Sequence, residues 1–179
     1  TLAEDANLFD CTLPGLYLTD TRLPALLAQH LRCRGSLHLR HGFKASGLVD
    51  LNGANITGQL DCAGGKFLAE GMALNCNAMS TESSVLLRNG FEAQGIVGFN
   101  GAKIVAQLNC LGAKFWAEPV TLQCYASTVG VDVLLVDGFE ARGAVDLGRA
   151  EITRDLKMPG AKLGKGLIAS GMRVRAGFY

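Results

Sequence analysis

Aromatic side chains are scarce in this chain: they make up 7% of it, with a single tryptophan, although 49% of the residues are hydrophobic. A core with so few rings has to be built from small aliphatic groups packed at close range. Histidine is scarcer still, at three residues, which leaves few carriers for proton transfer near neutral pH. No charge predominates: the net charge is +1 and there is no basic run, so nothing electrostatic points to nucleic acid or to an anionic membrane surface. No stretch reaches the roughly 18 consecutive apolar residues of a membrane span, which excludes helical membrane insertion. The first residues lack the zones of a signal peptide, and a chain that starts at Thr1 reads as a processed product or a segment of a longer protein. There is no CxxC and no Cys/His spacing for zinc, and no GxGxxG follows a strand and opens a helix. No cofactor and no metal are therefore expected.

What is present is repetition. Gly42-Phe43, Gly90-Phe91 and Gly138-Phe139 stand at a fixed spacing of 48 residues, and such a period marks stacked units that bury their apolar faces on each other. Each unit holds four short alternating segments, Val49-Asp50-Leu51, Leu60-Asp61-Cys62, Leu74-Asn75-Cys76 and Leu86-Leu87-Arg88 in the first full unit. Period-two alternation is the signature of a half-buried strand. The segments fall into two similar pairs, so the 48-residue unit reads as two coils of about 24 residues. The fold class is then all-β, a parallel β-helix or solenoid, with right-handed winding favoured by the chirality of parallel crossovers. A leucine-rich repeat array has a similar period, but its LxxLxLxxN signature does not recur.

Several columns follow from this alignment. Ala54, Ala78, Ala102, Ala126 and Ala150 recur every 24 residues and predict one tight inward corner. Ile56, Ile104 and Ile152 predict an apolar column once per 48 residues. Lys44, Lys66, Glu92, Lys114, Glu140 and Lys162 predict a surface ladder whose signs alternate from Lys66 onward, which disfavours a slip of one coil. Cys62 and Cys110 share one position and Cys76 and Cys124 another, and Met158 and Met172 follow them in the next unit. A place that takes Cys or Met is an apolar core place, so the six cysteines are expected as buried free thiols and the location as cytoplasmic.

The start of the chain departs from this rhythm. From Thr21 to Leu31, Leu23, Leu26, Leu27 and Leu31 fall on one helical face, Asp20 or Thr21 stands at the N-cap, and Pro24 sits in the first turn. The expectation is a short amphipathic helix, either covering the first coil or decorating it. The chain divides accordingly into an N-terminal cap with a short helix over 1–35 and solenoid repeats over 36–179.

The runs LNGANITGQLDCAGGKF (Leu51 to Phe67) and FNGAKIVAQLNCLGAKF (Phe99 to Phe115) resemble the LxGAxIxGxLDLxGAxF repeats of bacterial proteins commonly labelled membrane-associated oxidoreductases, and distantly the pentapeptide-repeat solenoids. The resemblance spans roughly Ser36 to Leu163 and implies a solenoid. Steps of 11, 14 and 12 residues between segments do not divide by five. The DNA mimicry associated with some pentapeptide-repeat proteins needs a strongly acidic surface, which a net charge of +1 does not supply.

Functional candidates are few. His41 aligns with Asn89 and Asp137 in a polar row. Trp116 replaces Leu68 on an outer face, and an exposed tryptophan is often a contact residue. Trp116, Tyr125 and His41 are the candidate partner contacts, and no catalytic residue is assigned. Asp50 and Asp146 are four coils apart and cannot converge on calcium as carboxylates do in polysaccharide lyases. Only Thr57 and Thr153 recur, against the threonine ranks of ice-binding solenoids. The reading is a noncatalytic scaffold or interaction module that takes a protein partner or self-associates through open coil ends. A polysaccharide-acting enzyme domain, or the repeat portion of a larger effector, is the alternative.

Overall fold

The computed structural model describes residue 2 and residues 4–179, and the chain is an all-β parallel solenoid of about eight coils. Its strands are mostly two residues long and fall into four sheets, called A to D here in the order the chain visits them. The first coil contributes Ala6–Asn7, Thr12–Leu13, Leu16–Tyr17 and Arg22–Leu23, one strand to each sheet. Among the described residues sheets A, B and C hold eight strands and sheet D seven, every pairing parallel and between successive coils. At the usual inter-strand spacing the stack is a rod of roughly 34 Å.

No helix is present among the described residues, which corrects the expectation over Thr21–Leu31. Arg22–Leu23 is a strand of sheet D and Leu26–Leu27 a strand of sheet A. Leu23, Leu26 and Leu31 point into the core, whereas Leu27 lies outward beside Asn7 and Asp50. Inward residues at a corner between sheets are three or four apart, and that spacing imitates one face of a helix. Residues 6–33 stack in the same sheets as the rest, and Ala6 pairs with Leu26, a step of 20 residues made of four five-residue sides.

The 48-residue period resolves into two unequal coils. Val49 pairs with Leu74 and Leu74 with Val97, steps of 25 and 23, and Leu122 and Val145 continue them. The difference lies at two corners. Between sheets D and A the longer coils carry three additional residues, and their sheet A strands, Met72–Asn75 and Val120–Gln123, start with a register shift. Between sheets C and D the shorter coils carry one additional residue: His41-Gly42, Asn89-Gly90 and Asp137-Gly138 are consecutive residues with positive φ, where the longer coils have Gly64 or Gly112 alone. The recurrent Gly-Phe is thus the extra left-handed step and the residue after it.

Unequal coils overturn the single alanine column. Ala54, Ala102 and Ala150 are buried and equivalent to Met79 and Ser127. Ala78 and Ala126 instead occupy exposed turns with φ of 53°, in the column of Gly53 and Gly101. A uniform step of 24 drifts by one residue at each coil, and one residue is the difference between inside and outside.

The core is continuous from Leu23 to Leu156. The Ile56, Ile104 and Ile152 column is present, with Thr81 and Val129 between its members and Cys33 before the first. On sheet D, phenylalanines stack in sequence as Phe43, Phe67, Phe91, Phe115 and Phe139, with ring centroids 5.2 to 5.4 Å apart. They alternate between two places: Phe43 is followed by Ala45, whereas Phe67 pairs with Ala45 and follows Gly65. Swapping large and small from coil to coil fills the corner without forcing rings into identical positions 4.8 Å apart.

Candidate functional site

Solenoid registry brings residues one coil apart in sequence into direct contact, so a site here is a patch of columns. The outer face of sheet B has the most relief. Its first outward column runs Thr12, Arg32, Asn55, Ser80, Lys103, Thr128, Glu151, Arg173. Two residues further along each coil lies a second, including Arg34, Thr57, Glu82 and Val105. Between them are three adjoining depressions. The first, about 290 Å³, is lined by Thr12, Arg32, Cys33, Arg34, Asn55 and Thr57. The second, about 190 Å³, shares Asn55 with it and adds Glu82 and Lys103. The third, about 350 Å³, continues over Lys103, Val105, Thr128 and Gly130. A Cβ on Gly130 would collide with the Val105 carbonyl oxygen, so glycine is required where the backbones approach. Glu82 and Glu151, the carboxylates of this face, stand three coils or about 14 Å apart, farther than the spacing of paired glycosidase carboxylates.

Sheet A presents a polar ladder. Asp50 is buried and accepts from Gln29 Nε2 at 2.8 Å, Asn75 Nδ2 at 3.0 Å and the Asn52 N–H at 3.0 Å. Asn100 donates to Gln123 Oε1 and accepts from the Tyr125 N–H. These bonds tie successive coils together and leave the carboxylate of Asp50 saturated.

Sheet C holds a cluster around His38. Tyr17, His38 and Asp61 are in direct register. The Tyr17 ring stacks on His38 at 4.8 Å, His38 Nδ1 is 3.5 Å from Asp61 Oδ2, and the same oxygen accepts from Arg40 at 2.8 Å. Asp61 is only 3% exposed and also receives the Ala63 N–H, so Arg40 is its counter-ion and the imidazole packs beside a charge already balanced.

The three contact candidates from sequence occupy separate columns. His41 is an exposed residue with φ of 45° at the corner between sheets C and D. Trp116 stands just past sheet D, 39% exposed, with Lys114 Nζ 6.0 Å from its ring centre. Tyr125 lies at the corner between sheets A and B, 42% exposed, under the Arg149 guanidinium. The structure does not gather them into one patch. The depressions of sheet B and the His38–Asp61 contact were missed. The available signal was Arg32-Cys33-Arg34, repeated as Arg173-Val174-Arg175 at the other end of the same face.

All six cysteines are free. Burial pushes the thiols of Cys62, Cys76, Cys110 and Cys124 well above their ordinary range, helped by neighbouring negative charge, as from Asp61 at Cys62. Among the described residues no group of three or more His, Cys, Asp or Glu side chains is placed to hold a metal ion. A scan of protein-family models, a search of curated proteins and a search of solved structures each found no match.

Proposed function

We infer that this chain is a noncatalytic scaffold: a stiff rod that meets protein partners on its flat faces and a second copy of itself at its coil ends. The supporting observation is the unbroken ladder. Core side chains of the end coils, Leu13, Leu16 and Leu18 at one end and Leu163, Leu167 and Val174 at the other, are only partly buried against the stack. A further coil laid on either end buries them and extends all four sheets, as parallel edges do. Free thiols suit a reducing compartment such as the cytoplasm. The five-residue sides of the first coil support the distant likeness to pentapeptide-repeat solenoids, and a right-handed winding is the sense we assign.

The test is solution mass by light scattering over a range of protein concentrations, with an edge variant alongside. Arg175 is the wrong place for it, since its N–H already donates back to Ile152 O at 3.1 Å. Ala169 is the right one: it is equivalent to Leu147, whose N–H bonds forward to Ile168 O at 2.7 Å. Concentration-dependent assembly that Ala169→Pro abolishes, with an unchanged melting curve, supports end-to-end growth. A monomer at every concentration overturns it.

A further inference from the structure

The geometry points to an oxyanion-binding site at the Arg32–Arg34 depression of sheet B, of a size and polarity suited to a phosphate or sulfate group. Arg32 lies in a strand of sheet B and Arg34 stands two residues on, just past the end of that strand, so both side chains leave the same face with Cα atoms about 6.5 Å apart. Thr12 precedes Arg32 in its column and Asn55 follows it. Thr57 follows Arg34 in the neighbouring column. Two guanidiniums, two hydroxyls and one amide therefore converge on a recess of about 290 Å³. Guanidinium groups present planar paired donors that match the oxygens of phosphate, and hydroxyl and amide donors complete a tetrahedral shell.

The fold contains its own comparison. Arg173 and Arg175 occupy the positions of Arg32 and Arg34 six coils further along. There the preceding residue of the column is Glu151, whose Oε1 accepts from Arg173 Nη1 at 3.1 Å. At the first pair the corresponding neighbours are Thr12 and Asn55, and among the described residues neither Arg32 nor Arg34 has a carboxylate within ion-pair distance. Glu82, in the column of Arg34, is two coils away, about 10 Å, which is a full screening length at ordinary ionic strength. Glu151 balances one of the two charges at the second pair, whereas at the first pair both are left for a ligand. This assignment is independent of the scaffold reading.

The experiment titrates inorganic phosphate into the 179-residue chain at low ionic strength, following the arginine Nε–H resonances and the heat of binding. Saturable binding that weakens at least about tenfold in Arg34→Gln is expected, the size of one lost charge-assisted contact. Thr12→Glu, which reproduces the Glu151 arrangement, should abolish it, and Arg175→Gln should leave it unchanged. All three positions are exposed, and matched melting curves verify the fold. A phosphate monoester such as phosphoserine, run in parallel, separates the sources: tighter binding than inorganic phosphate marks a phosphorylated molecule as the ligand, equal or weaker binding the free ion. Absence of saturation, or equal losses in Arg34→Gln and Arg175→Gln, overturns the assignment.

Discussion

Phe67 and Phe91 pack with ring centroids 5.2 Å apart and planes inclined by 37°, although they leave the backbone from different places in their coils. Ala93 pairs directly with both Phe67 and Phe115 and is fully buried. Ala93→Phe therefore inserts a ring into a row that has room for none. Urea unfolding should show a loss of about 1 to 3 kcal/mol or more. Phe91→Ala, which opens a void between two rings, should lose about 3 to 5 kcal/mol.

Two alanines 24 residues apart should respond in opposite directions. Ala102 is wholly buried, and Ala102→Leu should cost about 1 to 3 kcal/mol by overpacking. Ala126 is exposed with φ of 53°, and Ala126→Gly relieves a conformation that disfavours a Cβ. Thermal melts should show the first variant lowered and the second unchanged or raised.

The solenoid character, the strand positions and the charge ladder were legible because each residue's spatial neighbour is its counterpart one coil away. Registry of Lys66 with Glu92, and of Glu140 with Lys114 and Lys162, follows from alignment alone. The alternation of 23 and 25 was hidden inside its sum. Only pairing of Val49 with Leu74 and of Leu74 with Val97 separates the two steps, and the misassigned Ala78 and Ala126 are the result. Leu23, Leu26 and Leu31 misled for a different reason: a square corner and a helix place apolar residues at the same short intervals. The Arg32-Cys33-Arg34 spacing was readable, but which of the arginines has a carboxylate partner depends on the column neighbours Thr12, Asn55 and Glu151, which only the register reveals.

Alkaline pH should unfold this chain progressively. The thiols of Cys62, Cys76, Cys110 and Cys124 stay neutral when buried, whereas in the unfolded chain they ionise near pH 8.5. Their contribution is full below that value and is lost as pH rises above it, by about 1.4 kcal/mol per thiol for each pH unit. Urea midpoints between pH 8 and 10.5 should fall, and less steeply in Cys124→Val. At pH 8 a thiol reagent should label the half-buried Cys11 in the native chain and the four core thiols only after denaturation.

The ladder on sheet D should be sensitive to salt. Glu140 lies 2.7 Å from Lys162 Nζ and 4.0 Å from Lys114 Nζ, and the Lys162 hydrogen bond and charge hold its carboxyl below the usual range. Glu140→Lys would align three lysines on adjacent strands. Its melting temperature should fall below that of the parent at 10 mM salt, and the gap should narrow at 1 M, where the screening length drops to about 3 Å.

The pairing of unlike coils also sets how such a rod can change length. Removing 48 contiguous residues rejoins a small-Lys-Phe turn to its own kind and keeps every column in phase. Removing one coil sets phenylalanine on phenylalanine and like charge on like charge at the seam. Within the repeats, growth and shortening by duplication or loss are therefore favoured in steps of two coils, about 10 Å of rod.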